Sequence, residues 1–260
     1  MSMNHLFVLF IAFCSSWYAP AQEPAFEGGE WFKFRLSYSG WFKAGEATLT
    51  VTDERYKDKP VYHIKGEGVT TGMTKLFFNV EDNYETYVDQ KTILPYRFVR
   101  KIDEGGHTKD KVIDFDQRQQ KAYVFDKKHN EHATYDTPAS VHDMISSFYF
   151  LRDQIDINKL EEGKETGLDM FFDEENFEFR LRFLRREVID TKFGKVKTLV
   201  FRPLVQAGRV FKEKESLTLW VSADKNKIPL RIKAELAVGS LKADLEAYKG
   251  LKYPFYIIQD

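Results

Sequence analysis

The chain has 260 residues, 30% of them charged, with 39 Lys+Arg against 40 Asp+Glu. That length suits one large β domain or two small ones, and the balanced charge excludes a basic field that would draw in nucleic acid or anionic lipid. Aromatic residues reach 15%, with 23 Phe and 13 Tyr, a composition that favours strands over helices.

Residues 6–13 (Leu-Phe-Val-Leu-Phe-Ile-Ala-Phe) form an apolar core too short for a permanent membrane span, and Ala19-Pro20-Ala21 supplies a small-residue cleavage site. The segment predicts export, with cleavage after Ala21 and a mature chain starting at Gln22. Its polar start holds His5 and no Lys or Arg. The single cysteine, Cys14, follows Phe13, where a lipidation signal wants a small residue, so plain secretion is expected and a lipid anchor is not. The expected mature chain then has no cysteine and no disulfide. No later apolar run approaches the roughly 18 residues of a membrane helix.

Residues 31–38 alternate, with Phe32, Phe34, Leu36 and Tyr38 on one side and Lys33, Arg35 and Ser37 on the other, the pattern of a half-buried antiparallel strand. A turn near Ser39-Gly40 and Lys43-Ala44-Gly45 leads to a return strand carrying Ala47, Leu49 and Val51. After a charged turn at 53–60, a strand at 61–65 is interrupted by Gly66, Gly68 and Gly72. These glycines mark bulges or a sheet corner, since no helix follows them to complete a phosphate loop. Strands follow at 77–88, 96–102, 109–115 and 121–125, with hairpin signals at Glu104-Gly105-Gly106-His107 and at residues 116–120. Residues 127–138 read as a polar loop.

Residues 140–155 are the one long helix. Val141, Met144, Ile145, Phe148, Leu151 and Ile155 recur at helical spacing, Ser140 stands at the N-cap, and Asp143 sits three residues on, near a capping box. Phe148 is expected to be the buried anchor against the sheet. Beyond the helix, 161–167 reads as a turn and 177–183 as the clearest strand, with Phe177, Phe179, Leu181 and Phe183 alternating with Glu178, Arg180 and Arg182. Strands at 187–190, 195–201, 217–221, 230–236 and 241–245 complete the set. Short connections make the sheet an antiparallel meander.

Two stretches echo each other. Tyr87-Val-Asp-Gln-Lys-Thr-Ile-Leu-Pro95-Tyr-Arg97 matches Trp220-Val-Ser-Ala-Asp-Lys-Asn-Lys-Ile-Pro229-Leu-Arg231, with one extra residue in the second turn. Each closes a strand, turns, and opens the next on a proline, where a missing N–H does least harm. A shared hairpin idiom and an internal duplication both account for this, since two copies fall short of the three that make an array.

On Gly45-Glu-Ala-Thr-Leu, Tyr87-Val-Asp to Leu94-Pro-Tyr-Arg-Phe, His142-Asp-Met-Ile-Ser-Ser-Phe-Tyr-Phe-Leu-Arg152, Arg186-Glu187, and Leu219-Trp-Val to Ile228-Pro-Leu-Arg-Ile, in that order, the chain resembles the secreted bacterial domain-of-unknown-function family numbered 3108. The resemblance implies no activity. The strand–turn–proline idiom is also distantly similar, at fold level, to the open barrels of periplasmic lipoprotein carriers, which implies a curved sheet around a helix-plugged apolar cavity.

Catalytic chemistry finds little footing. His129 and His132 lie three apart in a solvated loop, and His63 and His107 lack partners in sequence, so no metal site or cofactor is expected. There is no Gly-x-Ser-x-Gly elbow, and 40 acids make carboxylate pairs uninformative. The better cluster is on the helix, where Asp143, Tyr149 and Arg152 either line a barrel mouth or serve as a cap plus an Arg paired with a strand acid such as Glu187. Trp41, in a turn, and Trp220, opposite Leu219 and Val221 in its strand, are candidates for stacking on a ligand.

The reading is therefore a mainly β protein, a curved antiparallel sheet or open β-barrel in two similar halves, about 28–138 and 157–250, around one amphipathic helix at 140–155. Its function is expected to be non-catalytic binding or carriage of an apolar or amphipathic envelope ligand through Trp41, Asp143, Tyr149, Arg152 and Trp220. Glycan binding or processing, and a structural role in envelope assembly, are the alternatives. Lipid or glycan is the expected partner, nucleic acid is not, and the oligomeric state is left open.

Overall fold

The computed structural model describes residues 24–39, 42–72, 74–77, 79–204, 216–236 and 238–259. The segment expected to direct export, with Cys14 and Gln22, and Trp41, expected in a turn, lie outside these described residues. The first arm of the fold is β1 (Trp31–Tyr38), β2 (Phe42–Tyr56), β3 (Lys59–Thr70), a short helix α1 (Thr74–Phe77), β4 (Val80–Asp89), β5 (Pro95–Glu104), β6 (His107–Asp116), β7 (Lys121–Asp126) and β8 (Glu131–Asp136). Helix α2 (Met144–Gln154) follows. The second arm is β9 (Glu165–Phe172), β10 (Glu175–Thr191), β11 (Gly194–Leu204), β12 (Leu217–Ser222), β13 (Pro229–Glu235) and β14 (Ser240–Lys249).

Among the described residues fourteen strands join one antiparallel sheet in the order β8-β7-β6-β5-β4-β3-β2-β1-β14-β13-β12-β11-β10-β9. Its edges, β8 and β9, do not pair with each other, so the sheet curves into an open barrel. Side chains bridge the gap. The β9–β10 turn places Asp173 against Arg100 and Lys109, and Glu174 against Lys111 and the Tyr135 hydroxyl. Asn176 adds a bond from Nδ2 to the Asp136 carbonyl at 2.7 Å. Both turn residues have positive φ (48° and 68°), the two-residue hairpin geometry that glycine or asparagine adopts more easily. Their contacts with the first arm offset that strain.

The two echoing stretches take the same register. Tyr87 faces Arg97 and Val88 faces Pro95 across a slipped ladder; Trp220 faces Arg231 and Val221 faces Pro229 across another. In each copy the arginine then pairs with an aspartate on the next strand, Arg97 with Asp114 at 2.7 Å and Arg231 with Asp244 at 2.5 Å. Each turn is held by an aspartate, Asp89 or Asp224, that accepts from the backbone N–H groups two and three residues on.

Several local expectations are corrected. The helix starts at Met144, not after Ser140. Asp143 is the N-cap, accepting from the Ile145 and Ser146 N–H groups, while the Ser146 hydroxyl accepts the Asp143 N–H to complete the capping box. Ser140 instead sits at φ 58° in the preceding turn. Residues 131–136, read as loop, form the edge strand β8, and β9 begins inside the turn expected at 161–167. Gly66 and Gly68 cause no bulge, because β3 pairs with β2 and β4 without a slip through both. In β1 the ladder to β2 shifts at Leu36/Ser37, after which Ser37 is buried and Tyr38 is exposed.

Within β2 and β3 a sterically required glycine is Gly45, beside that shift. A Cβ there would lie 2.3 Å from the Val69 carbonyl oxygen, whereas at Gly68 the nearest atom would be 4.0 Å away. Gly45→Ala should therefore destabilise the protein by about 1–3 kcal/mol in urea unfolding, as overpacking does, while Gly68→Ala should be close to neutral. Equal effects would refute the close approach of β2 to β3.

Candidate functional site

Helix α2 lies across the barrel interior, packed on β4 and β9. It is enclosed further round than its apolar stripe suggests. Tyr149 and Arg152, off that stripe, are 0% and 3% exposed. Phe148, expected as the buried anchor, is only half-buried, and the fully buried ring is its neighbour Tyr149.

The reason is an ion pair. Arg152 gives two hydrogen bonds to Glu30, Nη1 to Oε1 at 2.7 Å and Nη2 to Oε2 at 2.9 Å, and a third from Nη2 to the Asn226 carbonyl at 2.8 Å. The Tyr149 hydroxyl donates to Glu30 at 3.3 Å. Phe26, Phe32, Phe148 and Tyr149 present rings 5.1–5.6 Å from the guanidinium carbon. Arg152 thus pairs with Glu30 and not with Glu187, which accepts from Arg185 and from the Trp220 indole N–H. Burial works against the Arg152 charge, but the field and hydrogen bonds of Glu30 outweigh it, so the group stays protonated.

At the other end of α2, Asp143 is fully buried and accepts the Thr86 hydroxyl at 2.6 Å besides its two cap bonds. Burial pushes its carboxyl up to about 6 despite those bonds. His142, also buried, is pushed down to about 4 by burial, and its backbone pairs with β9 around Met170.

The helix divides the interior unequally. On the first-arm side, Ile145 and Tyr149 pack with Phe26, Val51, Ile64, Val88, Phe98, Ile113, Phe115 and Phe171 in a filled core. On the second-arm side lies a cavity of about 520 Å³. Met144, Phe148, Leu151 and Ile155 line it from the helix, Phe177, Phe179 and Leu181 from β10, and Leu217, Leu219 and Val221 from β12. Its charged lining is Arg152, Lys227, Asp173 and Glu175.

Of the ligand-binding candidates named from sequence, Arg152 alone among the described ones lines this cavity. Asp143 caps the helix, Tyr149 belongs to the filled core, and Trp220 packs in a separate apolar cluster with Phe32, Ile228 and Leu230. The sequence reading passed over Glu30 and Lys227. Glu30 is 122 positions from its partner, so no local pattern reveals it. Lys227 sits in the turn of the second echo, and the repeated turn was the available clue. Among the described residues no cluster of His, Cys, Asp and Glu could hold a metal ion.

A largely apolar cavity beside a helix inside an open antiparallel barrel defines a β-barrel-like protein with a hollow second half. The family model described as "Protein of unknown function (DUF3108)" matches residues 33–246, and the chain belongs to that family. A β-barrel-like protein of the domain of unknown function DUF1849 from Brucella abortus shares the fold, with a TM-score of 0.56 at 10% identity over 86% of this chain and 98% of that one. Weaker likenesses, with TM-scores of 0.32 and 0.33, are to a protein described as exported with a YmcC-like fold from Bacteroides fragilis and to one described as a lipoprotein from Parabacteroides distasonis. These are 11% and 12% identical, each covering 87% of this chain and 97% of the other. No curated protein matches by sequence. Among the described residues no helix is long and apolar enough to cross a membrane.

Two expectations follow. Removing one member of a buried ion pair leaves the other charge stranded, so Glu30→Ala should cost about 3–5 kcal/mol, and Glu30→Leu with Arg152→Leu should cost clearly less than the sum of the two single changes. Additive losses in urea unfolding would show that the pair is not coupled. Asp143 binds its proton more tightly folded than unfolded, so its contribution to stability is full below about pH 4 and is lost as pH rises towards 6. Asp143→Asn keeps the cap acceptor and removes this loss. Its stability relative to the unmodified protein should therefore rise between pH 4 and 6, by up to about 3 kcal/mol. A difference independent of pH would mean that the buried carboxyl titrates normally.

Proposed function

We propose that this protein is an exported, non-catalytic carrier that shields an apolar or amphipathic molecule of the cell envelope inside its second-arm cavity. The observation that carries this reading is the contrast between the halves. One echoing register forms both arms, yet side chains fill one side of α2 and leave a roomy apolar cavity on the other. A cavity of that size lies within the range of about 300–1,000 Å³ usual for small-molecule sites, and an apolar lining with few charges suits a ligand that is mostly hydrocarbon. The apolar export segment with its Ala19-Pro20-Ala21 site supports placement outside the cytoplasm. The glycan alternative has less support, because the Trp220 indole N–H is taken up by Glu187 and that residue lies apart from the cavity.

Displacement of a fluorescent single-chain amphiphile by a homologous series of alkyl compounds tests this. Burial of each methylene is worth about 0.8 kcal/mol, so each added carbon should tighten binding about fourfold until the cavity is full. Leu219→Trp, which fills the cavity, should weaken binding at least tenfold while leaving the melting temperature unchanged or higher. Binding indifferent to chain length and to Leu219→Trp would refute the carrier reading.

A further inference from the structure

The charges of the cavity lining are sorted by depth. Asp173 and Glu175 are exposed, together with Met144 and Ile232, and mark its mouth. Arg152 and Lys227, 3% and 6% exposed, are the buried charges of the lining, and both are cationic. Arg152 is spent on the protein: both Nη groups are bonded to Glu30 and the Asn226 carbonyl, and its Nε–H is sealed from the accessible space of the cavity. Lys227 is not. The Lys227 ammonium, with three N–H groups to give, donates one to the Arg152 carbonyl at 2.6 Å. Its neighbouring acids Asp153, Asp156 and Asp224 lie off the cavity wall, and Asp224 is engaged by the Ser222 hydroxyl and its own turn backbone.

A buried donor left without an acceptor costs free energy, and a buried ammonium costs more unless an anion meets it. Burial holds the Lys227 ammonium below its usual range, the condition that an incoming carboxylate would relieve. An ammonium with unspent donors deep in an apolar cavity, with acids only at its exposed mouth, orients an amphiphile head inward and tail along the Phe177, Phe179 and Leu219 walls.

Building on the carrier reading, we infer that the ligand class is a single-chain carboxylic acid of the fatty-acid type, with its carboxylate accepting from Lys227 Nζ. An anionic acceptor suits a buried ammonium whose charge a neutral headgroup would leave unmatched. Neutral lipids and alcohols of equal length should bind through the tail alone.

The experiment compares a polyene fluorescent fatty acid with its methyl ester, on the full mature chain and on Lys227→Met. The acid should bind the unmodified protein at least tenfold more tightly than the ester. Lys227→Met should erase most of that preference while leaving ester affinity within about twofold, which also shows that the variant is folded. Equal affinity for acid and ester on the unmodified protein overturns the headgroup assignment and leaves the carrier reading standing. Failure of both probes to bind overturns the two together. A preference that survives Lys227→Met unchanged removes Lys227 from the site and overturns the assignment as stated.

Discussion

The position of α2 depends on one buried ion pair. Glu30 stands immediately before β1, Arg152 is in the last turn of the helix, and the third acceptor, the Asn226 carbonyl, belongs to the β12–β13 turn. Three distant parts of the chain therefore meet at one guanidinium. Such a pair is a poor source of net stability, because withdrawing both ions from water costs several kcal/mol that their attraction only partly returns. What it does supply is direction. A helix resting on a sheet through apolar contacts alone can rotate at little cost. A helix whose arginine must reach a forked carboxylate and a carbonyl cannot. The rotation thus fixed sends Tyr149 and Ile145 to the filled side and Phe148 and Leu151 to the hollow one.

This explains why Phe148 is not the anchor its place in the helical stripe suggests. Its ring borders the cavity and lies 5.6 Å from the Arg152 guanidinium carbon, with the neighbouring Tyr149 ring set edge-on at 5.3 Å. Periodicity reports which residues avoid water, and both a filled core and a dry cavity wall satisfy that condition. The two are distinguished only by what stands opposite, which the helix sequence does not contain.

Much of the fold was legible because its strands are long and their burial alternates. The 177–183 strand and the echoing Tyr87 and Trp220 hairpins stand in the structure as their residues imply. Edge strands were harder. β8 is mostly exposed along its length and carries no apolar row, so polar composition alone made it look like a loop. The helix start was misplaced by three residues because Ser140 and Asp143 are both good caps, and the choice between them was made by Thr86, a residue on β4 that reaches the Asp143 carboxylate. Most of the candidate site was hidden for the same reason. Its cavity comes from strands of the second arm closing on a helix held from both arms, and the residues that hold it lie 122 and 74 positions from Arg152.

The strand order carries a kinetic consequence. Among the described residues every pair of neighbouring strands is consecutive in sequence, with one exception, the pairing of β1 with β14. Each arm can thus zip up hairpin by hairpin with little loop-closure entropy to overcome, and only the β1–β14 junction must bring together residues such as Trp31 and Lys249 from opposite ends of the fold. That junction and the docking of Arg152 onto Glu30 draw on the same short stretch of chain, residues 30–38. The late step that unites the arms is then also the step that seats the helix, so the interior acquires its full and empty sides at the moment the two meanders become one sheet.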